Sequence, residues 1–202
     1  MRIDKTRILI TGYKGYIGNH IIKSKEFDTV DFIFFQGDVR EISNWERYQN
    51  ESLDFIFHAG SPAANLDEYT ETYIKESILK GTRNAIALSN FTGSTLVNFS
   101  TRGIYNSKNI YEKTKKISYV ETINTCDKFI NLIIPRVYSK DRKKGLIPKL
   151  NTIPKKDMHR NIQYITITHF LKRLKDGIKN DNDYILFFPF RENTIEELKE
   201  IF

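Results

Sequence analysis

Arg7 to Ile22 reads RILITGYKGYIGNHII, and three local signals follow one another within it. RILIT (Arg7–Thr11) is short, apolar and β-rich, as a strand buried on both faces should be. Gly12, Gly15 and Gly18 then mark a turn, and Ile17, Ile21 and Ile22 recur at helical spacing between Tyr16 and Lys25. The order is strand, turn, helix. Gly12 permits the tight turn, Gly15 lets backbone amides approach a pyrophosphate, and Gly18 lets the helix pack close to the strand. The helix then turns free N–H groups and the positive end of its dipole toward an anion. A glycine triplet alone could be a ligand-free turn; the strand before it and the apolar helix after it argue for a phosphate cradle.

The same alternation continues outward. Strands are expected at Val30–Gln36 (VDFIFFQ), Leu53–His58 (LDFIFH), Ser94–Ser100 (STLVNFS) and Phe129–Pro135 (FINLIIP), and helices at Ile42–Asn50, Glu68–Asn90 and Tyr111–Thr125. Apolar strands alternating with helices predict an α/β fold of Rossmann type, a doubly wound parallel sheet covered on both faces. After Arg136 the pattern loosens into a Lys-rich stretch from Lys140 to Arg160. A strand at Gln163–Thr168, a helix to Ile178, a strand at Tyr184–Phe188 and a helix from Thr194 follow. Thr194 with Glu197 forms a capping box. One domain over 1–202 is expected, with a dinucleotide-binding core at 1–139 and a reduced substrate-binding extension at 140–202.

With 202 residues, 40% hydrophobic and 28% charged, the chain has the composition of a soluble globular protein with a single core. No apolar run approaches the roughly 18 residues of a membrane span, and Met1–Ile10 lacks the apolar segment of a secretory signal, so a cytoplasmic protein without a membrane partner is expected. The single cysteine, Cys126, cannot form an internal disulfide, and no Cys/His cluster suggests a metal site. The net charge of +7 is spread among acids without a basic helix, which makes a nucleic-acid partner unlikely and suits anionic dinucleotides.

The spacing GxxGxxG behind Thr11 resembles the fingerprint of the short-chain dehydrogenases/reductases. Later residues match that family in order: Asp38 in GDVRE, His58 to Gly60 at a strand end, Gly81–Asn84 (GTRN) in a helix, Thr101, Tyr111 with Lys115, and Arg136. The chain is identified as a compact member of the extended branch, the NAD-dependent epimerases and dehydratases of nucleotide-sugars. The resemblance runs from Arg7 to about Ser139 and more faintly to the end. It implies a bound NAD, with NADP possible, held by Gly12, Tyr13, Gly15, Tyr16, Ile17, Gly18, Asp38, Val39, His58, Ala59, Gly60, Lys115, Pro135 and Arg136. It implies a nucleotide-sugar or keto-sugar substrate, and a homodimer formed through the helices at 68–90 and 111–125. Only 19 residues separate Gly18 from Asp38, too few for two strands, so Asp38 is the ribose acid, the adenine contact or a helix cap. A carboxylate there favours NAD, and Arg40 nearby leaves NADP open.

Thr101, Tyr111 and Lys115 are the expected catalytic set. Tyr111 and Lys115 stand four apart, on one face of a helix, where the cation should lower the phenol's pKa. Such a tyrosine accepts a proton from a sugar hydroxyl as hydride leaves, or returns it in reverse. By resemblance, Lys115 also holds the nicotinamide ribose and Thr101 orients the reacting oxygen. A lone YxxxK is ordinarily a solvated helix face; its place after a strand and Thr101 argues otherwise. Four departures stand out. Arg102 and Gly103 replace the Asp-Glu of dehydratases, so neither can transfer that proton, and a dehydratase is disfavoured. His58–Ala63 (HAGSPA) resembles the sugar-acid decarboxylases, but their glutamate after the threonine is missing. Tyr111 follows Thr101 by only ten positions, a thin pocket wall, and Ile78 stands where an Asn is usual. An epimerase or ketoreductase is the expected activity; the rival readings are a non-catalytic dinucleotide-binding sensor or subunit and a nucleic-acid-binding relative.

Overall fold

The computed structural model describes residues 5–62, 69–140, 142, 146–179 and 184–201. Ala63 of the HAGSPA motif and the expected helix start at Glu68 lie outside them. In chain order the regular elements are β1 (Arg7–Thr11), α1 (Tyr16–Ile22), β2 (Asp31–Phe34), α2 (Ile42–Glu46), β3 (Phe55–His58), α3 (Glu71–Thr92), β4 (Thr95–Thr101), α4 (Ile110–Thr125), β5 (Phe129–Ile134), β6 (Arg136–Tyr138), β7 (Asn161–Thr166), α5 (Ile167–Gly177), β8 (Tyr184–Phe187), β9 (Arg191–Thr194) and α6 (Ile195–Ile201).

Six strands form one sheet in the order β2-β1-β3-β4-β5-β8, every neighbour parallel. The period of two along each strand divides its side chains between two cores. Ile8, Ile10, Phe57, Val97, Ile130 and Leu132 face one side, where α5 adds Phe170, Leu171 and Leu174. Leu9, Ile56 and Leu96 face the other with Trp45 of α2 and Ala85, Ile86 and Leu88 of α3. The Rossmann-type reading therefore holds, and its last strand comes from the C-terminal residues, since β8 pairs with β5 from Ile130 to Ile133.

The C-terminal residues also build a second sheet, β6-β7-β9, with β6 parallel and β9 antiparallel to β7. Tyr138, Leu150, Ile162, Tyr164, Ile195 and Leu198 form its separate core. β6 and β9 leave no signal in the sequence: one is three residues long, and the other, RENT, carries no apolar residue. The expected strand at Gln163–Thr168 starts earlier, at Asn161, and ends at Thr166, which caps α5 by accepting the His169 N–H. The capping box at Thr194 forms in both directions, Glu197 N to Thr194 Oγ1 at 3.2 Å and Thr194 N to Glu197 Oε2 at 2.8 Å. Helix α2 stops short of the expected Asn50. Trp45 and Tyr48 are both held against Phe35, at ring distances of 4.4 and 5.5 Å, and the Tyr48 hydroxyl accepts the Gln36 N–H at 2.8 Å.

From β1 the chain turns to β2 on one side, while β3 lies on the other and leads away to β4, so the connections that leave the paired carboxyl ends of β1 and β3 part from each other and mark the crevice where such sheets bind ligands. Gly12 enters it with φ +65°, and a Cβ there would lie 2.6 Å from Ala59 O; a Cβ on Gly18 would lie 2.4 Å from Gly12 O. Gly93, which ends α3 with φ +69°, has open space around it. Gly12→Ala is therefore expected to cost about 2–4 kcal/mol in urea denaturation, strain plus collision, whereas Gly93→Asn should cost under about 1 kcal/mol because Asn tolerates the left-handed region.

Candidate active site

The glycine turn is closed by its own backbone. Gly15 N–H donates to Gly12 O at 2.9 Å, and Gly15 then caps α1 with no side-chain partner, which leaves backbone at the crevice. Thr11 pins the turn to β3: its Oγ1 accepts the Gly60 N–H at 2.8 Å and lies 3.2 Å from His58 Nδ1. Gly12, Gly15, Gly18, Ala59 and Gly60 thus converge into a cradle of backbone that side chains would fill, a fit for the pyrophosphate of a dinucleotide. Tyr16 and Ile17 turn their side chains to the protein. The Tyr16 hydroxyl lies 2.5 Å from Ser139 Oγ, under the Arg142 guanidinium, and Ile17 packs on the sheet core, so each offers a ligand its backbone.

Beside β2, Tyr13 packs on exposed Phe34 with ring centroids 4.8 Å apart, and Gln36 reaches the Tyr13 hydroxyl at 3.4 Å. Gln36 thus follows the end of the strand where a ribose-binding acid is usual. Asp38 is not the cap of α2, whose N-cap is Glu41. Its Oδ1 accepts the Arg40 N–H at 2.9 Å, and its carboxylate pairs with the Arg40 guanidinium at 2.5 to 3.0 Å, which holds the carboxyl below its usual range. Arg40 also lies over the Tyr73 ring at 4.8 Å and 3.7 Å from Glu76. The Asp38 charge is thereby largely met within the protein. Val39 O accepts from Trp45 Nε1 at 2.8 Å and Asn84 Nδ2 at 3.0 Å, which gives the Asn of GTRN a structural task.

The catalytic candidates gather where β4 ends and α4 begins. Thr101 is the last residue of β4, and its Oγ1 accepts the Gly103 N–H at 3.2 Å. Asn109 caps α4 by accepting the Glu112 N–H at 2.9 Å, which places Tyr111 in the first turn and Lys115 one turn on. Lys115 is 2% exposed and donates to Phe99 O at 2.8 Å. Burial pushes its ammonium down to about 8. Here the expectation for Tyr111 is corrected. Its phenol is pushed up to about 12, by burial first and by the Glu112 charge second, and among the described residues its hydroxyl bonds neither Lys115 nor Thr101. The Lys115 cation is directed into the sheet at Phe99, so it does not offset the desolvation of the phenol.

His58 is 1% exposed, lies 5.7 Å from the Trp45 ring, and its Nε2 has no partner among the described residues. Its ring faces the core, so its backbone and that of Ala59 border the crevice. Pro135 is buried after β5, and Arg136 beside it is exposed. The sequence alone singles out neither Glu112, the neighbour of the motif tyrosine, nor Gln36, which follows β2.

Residues 8–130, well over half of the chain, match the NAD dependent epimerase/dehydratase family. The chain belongs to that family. UDP-glucuronic acid decarboxylase 1 of Xenopus tropicalis is 29% identical over 132 residues, 56% of this chain. That stretch spans only 31% of the decarboxylase. Among solved structures, dTDP-4-dehydrorhamnose reductase of Bacillus anthracis in complex with NADP superposes with a TM-score of 0.83 at 16% identity, covering 97% of this chain and 79% of the reductase. UDP-glucose 4-epimerase of Thermus thermophilus in complex with NAD gives 0.79 at 18% identity, covering 96% and 81%. These likenesses at low identity are likenesses of fold. No helix among the described residues of this family member is long and apolar enough to cross a membrane.

His58 gives the site a pH signature. Burial first, and the nearby Lys115 charge second, push its pKa from 6.5 to about 3, so the fold requires the neutral ring. Between those values the unfolded chain binds the extra proton, and stability from this group, complete above pH 6.5, falls as the pH drops toward 3. The stability difference between the wild type and His58→Gln should therefore shift against the wild type by about 1.4 kcal/mol per pH unit below pH 6.5, read from urea denaturation between pH 4.5 and 7.5.

Proposed function

We propose that the chain is a nicotinamide-dinucleotide-dependent oxidoreductase or epimerase of a nucleotide-sugar or keto-sugar, with Tyr111 as acid and base, Thr101 orienting the reacting oxygen and Lys115 holding the nicotinamide ribose. The observation that carries this reading is the joining of two features at one sheet edge: the backbone cradle between β1 and β3, and Thr101, Tyr111 and Lys115 between β4 and α4. Gly12, Gly15, Gly18 and Gly60 would take the pyrophosphate, and Ala59 and Val39 would border the adenine side. NAD is the expected cofactor, and NADP is compatible because Gln36 carries no charge and Asp38 is paired with Arg40. The bound nicotinamide supplies a hydride donor or acceptor.

The residues around it divide the remaining work. A Tyr111 phenol held near 12 is protonated at neutral pH, the form that donates a proton to a carbonyl oxygen as hydride arrives. Lys115, near 8, changes charge close to neutrality and can leave Phe99 O for a ribose hydroxyl. The names of the similar proteins, a keto-sugar reductase and a sugar epimerase, support the same substrate class.

Calorimetric titration with NAD, NADH and NADPH, followed by UDP-, GDP- and dTDP-linked sugars and keto-sugars, tests the reading. Binding of a cofactor and one sugar class is expected, with hydride transfer followed at the nicotinamide absorbance and reduced about 100-fold or more by Tyr111→Phe. Cofactor binding without turnover, unchanged by Tyr111→Phe, would instead assign the chain to a non-catalytic sensor or subunit. A homodimer belongs to the same proposal. α3 and α4 lie side by side, joined by Thr82 to Ser118 at 2.9 Å and Arg83 to Glu121, and expose Phe91, Ile117, Val120 and Ile123. Light scattering is expected to give twice the 23.8 kDa chain mass, and a Val120→Glu variant the single mass.

A further inference from the structure

Gly103 has no need to be glycine for its backbone, because its φ lies outside the left-handed region that Gly12, Gly37 and Gly93 occupy. What it provides is room. A Cβ on Gly103 would lie 2.6 Å from Glu112 Cγ and 2.8 Å from both Cδ and Oε1, so the Glu112 side chain fills the volume into which a side chain at 103 would project. The same glycine donates its N–H to Thr101 Oγ1 at 3.2 Å, so the Glu112 side chain packs on the residue that the Thr101 hydroxyl holds.

We propose that Glu112 supplies, from α4, the proton-transferring carboxylate that the segment after Thr101 lacks, and that it acts on the carbon next to a sugar ketone. Its placement is fixed without being used up. Oε2 accepts the Lys108 N–H at 2.7 Å, while Oε1, the oxygen nearer Gly103, accepts no hydrogen bond from the described residues. Asn109 already provides the side-chain cap of α4, so the second oxygen is not needed to start the helix. The Glu112 charge also reaches the Tyr111 phenol and helps keep it protonated. The two neighbours on α4 thus divide the work: a phenol that donates to the ketone oxygen, and a carboxylate that accepts from carbon.

The step balances within the substrate and the protein. The C–H bond beside the carbonyl breaks, its electron pair forms the C=C bond of the enol as the carbonyl oxygen takes the Tyr111 proton, and the carbon-bound proton passes to Glu112 Oε1. Return of a proton from Glu112 to the same face, after its carboxyl proton has exchanged with water, leaves a solvent hydrogen on that carbon. No oxidant is consumed. The proposal rests on reading the site as one that holds a keto-sugar, and it restores an acid-base group whose apparent absence argued against such chemistry.

The test uses the NAD-loaded protein and a ready-made dTDP-4-keto-6-deoxyhexose in D2O, with deuterium incorporation followed by mass spectrometry and oxidation of added NADH followed separately. The wild type is expected to exchange faster than a protein-free control. Glu112→Gln, whose amide oxygen can still accept from Lys108 N–H, should exchange about 10-fold more slowly or worse. Exchange at the control rate in the wild type, or at the wild-type rate in Glu112→Gln, overturns the proposal. NADH oxidation without Glu112-dependent exchange sinks this inference and leaves the hydride-transfer reading standing; Glu112-dependent exchange without NADH oxidation does the reverse.

Discussion

Thr11 Oγ1 accepts the Gly60 N–H and touches His58 Nδ1, and these contacts fasten β1 to β3 at the point where the sheet divides. Three stretches of bare backbone, at Gly12, at Gly18 and at Ala59–Gly60, can then approach to distances that no Cβ would permit. The crevice, the entry angle of α1 and the packing of α1 toward α5 all follow from that approach. A parallel sheet can be built from apolar strands of many kinds, but one that opens at this edge needs its connections thin there, which is why the glycines sit at turns rather than inside strands.

The site is held at a cost to the fold. Lys115 and His58 are both almost wholly buried and near enough for the lysine charge to depress the histidine, so the protein keeps one ring neutral and one ammonium poorly solvated. Beneath them, Asn98 bonds Thr122 at 3.1 Å and Asn131 at 2.9 Å, polar contacts between β4, β5 and α4 in a layer where α4 buries Thr114, Lys115, Ser118 and Thr122. An ordinary core would use leucine at these places. Polar groups here set β4 against α4 in one register, which carries over to the relation between Thr101 and the first turn of α4.

Much of this was legible in the residues. The strands of the main sheet announce themselves because burial on both faces demands continuous apolar runs, and α3 because an amphipathic helix repeats its apolar residues, whereas α4 buries Thr114, Lys115, Ser118 and Thr122 and is announced by its place in the alternation of strand and helix. The second sheet was not legible: β6 is too short for any period, and β9 is polar, held by pairing with β7 and not by its own composition. At the site, backbone roles were readable from glycine and side-chain identities from spacing. The direction in which a side chain turns was not. Nothing local says that Lys115 points to Phe99, that Asp38 spends its charge on Arg40, or that Glu112 fills the space above Gly103, because each partner comes from a different segment or a turn whose conformation decides it.

The position of β8 bears on how the chain reaches this state. The sixth strand, Tyr184–Phe187, is separated from its neighbour β5 by the whole of β6, β7 and α5. Until it arrives, Ile130 to Ile133 present an unpaired row of amide and carbonyl groups along an apolar edge. During synthesis that edge is a surface on which another unfinished chain can dock, and the arrival of β8 replaces it with a strand of only four residues as the edge of the finished sheet.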